Sequence, residues 1–326
     1  MIKKNVAVIG CGHWGKNLVR NFYDLGALSA VCDPDKDLAN NFAKQYDVKK
    51  LDFKEILEDE DIQGVVLAVP APLHASMAIE SMNAGKDVYV EKPLAMNNIE
   101  AEAMITCSKN NEVKLMVGHL LQYHPIFIKV RSLVSLGKLG KLSYIYSNRL
   151  SLGKVRSEED VIWSFAPHDI SMILSLADAD LISVKTESSK ILQENIADYA
   201  TLHLEFKSKL KAHISLSWLH PFKEQKLVVI GDHGMIVFDD TQIWSKKLAF
   251  YNHVIHRDKK LLNIEKAPVE YIHVPESEPL KNECQHFIDV INKNIKPITD
   301  GEEGSRVLSV LSAATLSDSN NTIVRL

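Results

Sequence analysis

Three glycines near the start of the chain have the spacing of a turn that binds a dinucleotide phosphate. An apolar run at residues 6–9 leads into Gly10, Gly12 and Gly15, the pattern G-x-G-x-x-G. The first glycine allows the tight bend, the second lets backbone N–H groups approach a pyrophosphate, and the third lets helix and strand pack closely. The N-terminus of the following helix favours the negative charge. The alternative interpretation is a plain strand-to-helix turn.

A carboxylate after the second apolar run indicates which dinucleotide would bind. Asp33 follows Gly15 by 18 residues, where its side chain can accept hydrogen bonds from both hydroxyls of a ribose. The same charge would repel the 2′-phosphate of NADP, and residues 34–37 contain no arginine to compensate. We therefore predict NAD rather than NADP. An alternative role for Asp33 is to cap the helix that begins near Lys36.

Lys92 could take part in the oxidation of an alcohol. It lies in Glu91-Lys92-Pro93, directly after a strand-like run at 87–90. An ammonium at this carboxyl edge of a sheet would lie near a nicotinamide ring, where it could stabilise the alkoxide that forms as hydride leaves. The proline constrains the backbone and allows a cis bond. The alternative is an exposed lysine at a strand end.

His168 is the candidate partner for proton transfer. Pro167 fits the first turn of a helix, so we expect His168 to project from a helix start. Histidine titrates near neutral pH and suits proton exchange with a substrate hydroxyl. A structural histidine is the alternative. His253 and His256 have a His-x-x-His spacing without a third ligand, so we predict no metal site.

The first ~118 residues alternate strand-like and helical patterns. Short and nearly all-apolar strands are typical of a parallel sheet covered by helices on both faces, and the alternation predicts a doubly wound Rossmann domain. The predicted strands are 6–9, 28–32, 64–69, 87–90 and 114–117, and the predicted helices are 16–25, 36–46, 74–84 and 98–111.

The pattern changes after Gly118. A helix is expected from Pro125, and the run at 211–218 alternates with period two, as does 201–206. We predict a C-terminal α+β domain with a large, mostly antiparallel open sheet that has one face on helices. The expected domains are 1–120 for the cofactor and 121–300 for substrate and oligomerisation. Final helices are expected near 280–294 and 302–320, the last packing back on the first domain.

Composition excludes several classes of protein. The chain has 326 residues, 46% hydrophobic and 25% charged, with a net charge of −4, which argues against a nucleic-acid surface. Four scattered cysteines predict neither disulfides nor a zinc ribbon. No run approaches the ~20 apolar residues of a membrane span, and no signal peptide is recognised. We expect a cytoplasmic protein that binds neither membrane nor nucleic acid.

These motifs together resemble the glucose–fructose oxidoreductase and inositol dehydrogenase (Gfo/Idh/MocA) family of NAD(P)-dependent sugar oxidoreductases. The resemblance extends over nearly the whole chain. Its markers are V-A-V-I-G-C-G-H-W-G, P-A-P-L-H-A at 70–75, A-G-K-D-V-Y-V-E-K-P-L-A at 84–95, G-H-L-L-Q-Y-H-P at 118–125 and the segment around His168.

The resemblance implies a role for each matching residue. Lys92 and His168 become the catalytic pair, with a cis bond before Pro93, and the protein is expected to form homodimers or homotetramers through the C-terminal sheet. The implied cofactor contacts are Gly10, Gly12, His13, Trp14, Gly15, Asp33, Pro70, His74, Glu91, Lys92 and Trp163. The implied substrate contacts are Lys92, Gln122, Tyr123, His124, Arg149, Ser164, His168 and Asp169, with Trp14 and Trp163 as further candidates.

The W-x-x-x-P-H-D form is most similar to the branch that contains the 3-dehydrogenases of UDP-N-acetylglucosamine and its uronic acid. The expected reaction is hydride transfer from the 3-hydroxyl of a UDP-linked N-acetylhexosamine to NAD. One departure matters: Ser164 stands where many members have an aspartate four residues before the histidine. The alternatives are an inositol or free polyol dehydrogenase and, from another class, a non-catalytic NAD-binding sensor or scaffold.

Overall fold

The computed structural model describes residues 5–153, 155–258 and 261–326, and the chain forms two compact units. The first unit comprises the chain up to His124 together with Ser277–Leu308. The second comprises Pro125–Glu276 and Ser309–Leu326.

The first unit is built on a six-stranded sheet of order β3-β2-β1-β4-β5-β6, in which every neighbouring pair is parallel. This confirms the predicted doubly wound domain. Two short elements of this unit were not predicted: the two-residue strand β3 (Lys49–Lys50) and the six-residue helix α3 (Phe53–Glu58). The elements are β1 (Val6–Ile9), α1 (Gly15–Asp24), β2 (Leu28–Cys32), α2 (Lys36–Tyr46), β3 (Lys49–Lys50), α3 (Phe53–Glu58), β4 (Gly64–Leu67), α4 (His74–Asn83), β5 (Asp87–Glu91), α5 (Asn98–Asn110) and β6 (Leu115–Gly118).

The second unit is built on a nine-stranded sheet of order β16-β13-β12-β11-β7-β10-β9-β8-β17. Only the β7–β10 pair is parallel, which confirms the mostly antiparallel prediction. The elements are α6 (Pro125–Ser135), β7 (Leu142–Leu152), α7 (Val161–Leu176), β8 (Leu181–Ser189), β9 (Tyr199–Phe206), β10 (Lys211–Ser217), β11 (Leu219–Gly231), β12 (Met235–Asp239), β13 (Leu248–Tyr251), β14 (Val254–Asp258), β15 (Leu261–Glu265), β16 (Val269–Tyr271) and, at the chain end, β17 (Val324–Arg325). Strands β14 and β15 pair antiparallel as a separate two-stranded sheet.

The period-two pattern in β10 has the predicted consequence for burial. Ala212, Ile214 and Leu216 are buried, whereas His213 and Ser215 on the other face are partly exposed. Alternate side chains of a strand point to opposite faces, so one face of this sheet is apolar and the other polar.

The late helix α8 (Pro279–Lys293) belongs to the first unit. Its Phe287 ring lies 6.2 Å from Phe22 on α1 and 5.8 Å from Tyr89 on β5. Gly64 admits the helix, because a Cβ there would lie 2.4 Å from the Ile291 side chain. The prediction gives 121–300 to the second domain, whereas the structure packs 277–300 in the first unit, since the apolar face of α8 covers that core. The final helix α9 (Gly301–Asn320) begins in the first unit and ends in the second.

Within the described ranges no helix is long and apolar enough to cross a bilayer. The same part of the chain contains no group of three or more His, Cys, Asp or Glu side chains arranged for a metal ion. The side chain of His256 lies outside the described residues.

Candidate active site

The glycine turn after β1 leaves backbone open to a ligand. Gly10 has φ +91°, and a Cβ there would lie 2.3 Å from the Ala68 carbonyl oxygen. A Cβ on Gly15 would lie 1.8 Å from the Gly10 carbonyl oxygen, whereas a Cβ on Gly12 would meet nothing within 4 Å. Helix α1 begins here with no side chain capping its N–H groups. Exposed Gly12 and the uncapped helix start thus fit a pyrophosphate.

Asp33 fastens this turn to the second strand. Its Oδ2 accepts from the Cys11 N–H at 2.7 Å and its Oδ1 accepts from the Asp35 N–H at 2.9 Å. The cap of α2 is instead Asp35, which accepts from the N–H groups of Asp37 and Leu38, so the alternative capping role for Asp33 is wrong. Each carboxylate oxygen keeps a further lone pair for a ribose hydroxyl.

Trp14 connects the glycine turn to Glu91, the last residue of strand β5 and the one before Lys92. The Trp14 indole Nε1 donates to Glu91 Oε1 at 2.5 Å, and the Tyr89 hydroxyl donates to the same oxygen at 3.1 Å. Burial raises the pKa of Glu91, while the hydrogen bonds from Trp14 and Tyr89 and the charge of Lys92 act in the opposite direction. Trp14 as a residue is 41% exposed and follows exposed His13, so it can still contact a ligand.

His74 holds the loop that follows Glu91. Its ring nitrogens lie 2.8 Å from the Pro93 carbonyl oxygen and 2.9 Å from that of Val69. Burial lowers the pKa of this imidazole. Both nitrogens face backbone carbonyl oxygens, and the neutral ring donates its single N–H to one of them, so His74 lies against the Lys92 loop and positions it. The Lys92–Pro93 peptide is cis, as the resemblance implies, and the Lys92 side chain is half-buried.

The remaining candidates of the first unit differ in exposure. Pro70 is exposed at the start of a short 3-10 turn, Ala71–Leu73. Gln122 and His124 are buried, as is Tyr123 between them. The Tyr123 hydroxyl lies 2.8 Å from Thr299 Oγ1 and its ring lies among the core side chains of this unit. This packing leaves Tyr123 no face for substrate, so we withdraw it from the substrate contacts.

In the second unit, His168 lies in the middle of α7 rather than at a helix start. The helix begins at Val161, because Asp160 caps it by accepting from the Trp163 N–H at 3.0 Å. Pro167 therefore sits inside the helix, where it removes one backbone hydrogen bond, and the predicted start is wrong. His168 is half-buried, and Ser164 one turn earlier is buried.

Three side chains expected to bind ligands are held by protein groups of the second unit. The Trp163 indole donates to Thr315 Oγ1 at 3.0 Å. Arg149 Nε donates to Asp169 Oδ2 at 2.5 Å and its terminal nitrogen to Oδ1 at 3.3 Å. Ser147 donates to the same carboxylate at 2.5 Å. Because Arg149 forms this bidentate pair inside the protein, we withdraw Arg149 and Asp169 from the substrate contacts.

Two residues near the site were missed in the sequence. In the sequence Tyr89 is one residue of an apolar strand, and the structure shows that its hydroxyl donates to Glu91. Glu283 is fully buried on α8. The available signal was its position, because it falls among the buried residues Leu280, Cys284 and Phe287 of one helical face.

Comparison with known proteins follows the same division of the chain. The model of an oxidoreductase family with an NAD-binding Rossmann fold matches residues 4–119, and the GFO/IDH/MocA C-terminal domain matches residues 127–237. The chain belongs to the GFO/IDH/MocA oxidoreductase family. It is therefore an oxidoreductase whose first unit carries a dinucleotide-binding fold.

Several GFO/IDH/MocA relatives align over almost the full length. UDP-N-acetylglucosamine 3-dehydrogenase of Acidithiobacillus ferrooxidans is 24% identical over 95% of both chains. The NAD(+)-dependent scyllo-inositol 2-dehydrogenase of Bacillus subtilis is 26% identical over 98% of this chain and 95% of its own. A solved structure of the former enzyme matches with a TM-score of 0.87 at 22% identity, covering 98% of this chain and 99% of that chain. The structural likeness establishes the shared fold.

Proposed function

We propose that this protein is an NAD-dependent dehydrogenase that oxidises a ring hydroxyl of a sugar, the 3-hydroxyl of a UDP-linked N-acetylhexosamine or its uronic acid. The observation that carries the proposal is the Trp14–Glu91 hydrogen bond, which fastens the glycine turn to the residue preceding Lys92. Likeness to the UDP-N-acetylglucosamine 3-dehydrogenase over 95% of both chains supports the substrate class.

The dinucleotide would be held by the turn and by Asp33. The open space at Gly12 and the uncapped start of α1 would receive the pyrophosphate, and Asp33 would accept from the ribose hydroxyls. The Asp33 carboxylate favours NAD, since it would repel a 2′-phosphate. When bound, the dinucleotide supplies the acceptor for the hydride.

Lys92 and His168 are the residues that we propose for proton transfer with the substrate hydroxyl. An ammonium at position 92 would hydrogen-bond the hydroxyl oxygen and stabilise its developing negative charge. His168 would exchange the proton with solvent. With Ser164 in place of an aspartate, no carboxylate relay passes through that position. Gln122, His124 and Ser164 remain the proposed substrate contacts: they are about as buried as Tyr123, but they do not belong to the apolar core cluster that contains Tyr123.

The test is to mix purified protein with NAD and a panel of UDP-sugars, inositols and free polyols. The rate of NADH absorbance increase identifies the substrate, and mass spectrometry of the product identifies a loss of two hydrogens. We expect activity on a UDP-linked N-acetylhexosamine or its uronic acid. Activity on inositol alone would replace our proposal with the polyol dehydrogenase, which the 26% identity to scyllo-inositol 2-dehydrogenase favours.

A non-catalytic NAD-binding sensor is the alternative from another class. Calorimetry of such a sensor would show NAD binding. No sugar or polyol in the panel would change the NADH absorbance. The presence of both Lys92, directly after β5, and His168 on α7 favours an enzyme instead.

We also propose that copies of the protein associate through the nine-stranded sheet as homodimers or homotetramers. The partly exposed face of this sheet carries Tyr146 stacked on His213, with a centroid distance of 5.3 Å, and His203 beside them. Light scattering on wild type and on Tyr146→Glu would test this association: a dimer or tetramer that Tyr146→Glu dissociates is expected, and a monomeric wild type would contradict it.

A further inference from the structure

Glu283 is a buried acid that the proposed function does not use. Its side chain has no exposed surface, and among the described residues no donor makes a hydrogen bond of good geometry to its carboxyl oxygens, the closest candidate being the Tyr89 hydroxyl. Isolated buried charges are strongly disfavoured in proteins. Some property of the surrounding residues must therefore explain why α8 carries an acid at a core position.

The neighbours of Glu283 are Tyr89 and Glu91, which belong to β5, the strand that precedes Lys92. Glu91 opposes its ionisation by charge, and burial together with the charges of Glu283 and Glu91 raises the pKa of the Tyr89 phenol. Gly118 on β6 makes room for this group, because a Cβ there would lie 2.8 Å from the Tyr89 hydroxyl and 2.9 Å from Glu91 Oε2. We call Tyr89, Glu91 and Glu283 the carboxyl cluster.

The other charged and titratable groups that act on the cluster are few. Lys92 favours the anion of Glu91, whereas Cys284 and Tyr123 feel the negative charge of Glu283 after the larger effect of their own burial. Burial raises the pKa of the Glu283 carboxyl well above its ordinary value.

The two acids of the carboxyl cluster are unequally provided with donors. Glu91 accepts from the Trp14 indole, the Tyr89 hydroxyl and, at 3.3 Å, the Lys92 N–H. Glu283 accepts no hydrogen bond of good geometry, because the nearby Tyr89 hydroxyl donates to Glu91, and that hydroxyl offsets only part of the effect of burial on the Glu283 pKa. Hydrogen bonds to the charged form of an acid favour that form, and two neighbouring buried carboxyls resist carrying two charges. A single negative charge in the cluster therefore resides on Glu91, and the proton resides on Glu283.

We propose that Glu283 is a positioning residue that stays protonated, so that Glu91 is the only anion of the carboxyl cluster and can hold Trp14 and the backbone of Lys92. The proposal rests on the proposed function, because it assigns the cluster to the alignment of the dinucleotide turn with Lys92. Ionisation of Glu283 would place a second negative charge beside Glu91, and the repulsion between the two carboxylates would disturb the Trp14 hydrogen bond.

The first test uses infrared spectroscopy of the free protein at neutral pH. A protonated carboxylic acid has a carbonyl stretch that carboxylates lack, and we expect this band in wild type. Glu283→Gln should remove it. Glu278→Gln is the matched control on α8, because the hydrogen bond from Arg20 lowers the pKa of Glu278 and keeps it a carboxylate. An unchanged band in folded Glu283→Gln, or no band in wild type, would overturn the proposal.

The second test follows the Trp14 hydrogen bond itself. The Trp14 contribution to fluorescence is the difference between each protein and its Trp14→Phe variant. From neutral pH to the alkaline limit of folding we expect this contribution to change in wild type and stay constant in Glu283→Gln. NAD affinity of wild type should fall by about tenfold relative to Glu283→Gln over the same range, which is a typical size for coupling between a ligand site and a second site. Identical pH dependence in both proteins would refute the role of Glu283.

These outcomes are separable from failure of the proposed function. A wild type that binds no dinucleotide contradicts the dehydrogenase assignment, whereas the infrared band and the Trp14 fluorescence are measured without ligand. Glu283→Gln retains the size and hydrogen-bonding capacity of the neutral acid, so it is expected to fold.

Discussion

Each unit places a buried acid directly beside its proposed proton-handling residue, and the two acids are held in different ways. Glu91 precedes Lys92 at the end of β5, and its partners are the neutral donors Trp14 and Tyr89. Asp169 follows His168 within α7, and it is paired with the Arg149 guanidinium and with Ser147.

The difference shows what each acid can contribute. A carboxylate paired with a guanidinium has its charge neutralised, so Asp169 orients α7 as a fixed structural pair. Glu91 has neutral donors and a neighbouring buried acid, so its charge depends on the state of the carboxyl cluster. The charge of Glu91 can therefore change with the protonation of its neighbours, whereas the charge of Asp169 is fixed by its ion pair with Arg149.

The largest effect is expected from removing the Lys92 ammonium, the proposed catalytic group of the first unit. Lys92→Ala is expected to reduce turnover by about 10²–10⁴-fold, because the developing charge on the substrate oxygen loses its stabilising ammonium. NAD affinity measured by calorimetry should be unchanged. Lys54→Ala, at an exposed lysine of α3, is the control and should retain turnover. Near-normal turnover by Lys92→Ala would remove this lysine from the mechanism.

Breaking the pair in the second unit should mainly affect stability. Arg149→Met leaves the Asp169 carboxylate, which is 1% exposed, without its cation, and the expected loss is about 3–5 kcal/mol of unfolding free energy. Glu91→Gln removes the charge but keeps an acceptor, and its expected cost is about 1–3 kcal/mol. Urea unfolding of both variants measures the difference, and equal losses would contradict the distinction drawn between the two acids.

Substitution of Asp33 tests cofactor selection in the first unit. Asp33→Ala should weaken NAD binding by about tenfold or more, since hydrogen bonds to a charged group are lost. It should also reduce the ratio of NAD affinity to NADP affinity. Calorimetric titration with each dinucleotide measures both effects. Asp35→Ala removes the nearby helix cap instead and is expected to leave the preference intact. An unchanged preference in Asp33→Ala would argue against ribose recognition by this carboxylate.

The smallest effect is a pH dependence of stability from His74. Its pKa is lowered in the folded state by burial, so the unfolded chain binds more protons as pH falls through the ordinary value of 6.5. The contribution of neutral His74 to the free energy of unfolding is therefore complete above pH 6.5 and is lost as the pH falls below this value. Because burial also lowers the pKa of His213 and His286, the measurement is the difference in Tm between wild type and His74→Gln from neutral to acidic pH. A difference that stays constant with pH would contradict the assignment.

Much of the first unit could be predicted because its signals are local. The order of strands and helices, the glycine turn and the position of Lys92 after β5 follow from short runs of apolar residues and glycines. The same holds for the alternation in β10. By contrast, the predicted start of α7 is wrong. A proline normally marks the first helical turn, but here the N-cap residue Asp160 lies seven residues before Pro167.

The sequence by itself determined a dinucleotide turn, a parallel sheet with Lys92 at its carboxyl edge, and a mostly antiparallel second sheet. Only the tertiary structure decided that α8 joins the first unit, that Tyr123 is a core residue and that Arg149 is paired with Asp169. It also decided that Trp14 reaches Glu91 across 77 positions of sequence. Periodicity and glycine content specify backbone locally, whereas the partner of a polar side chain is set by which distant elements pack together.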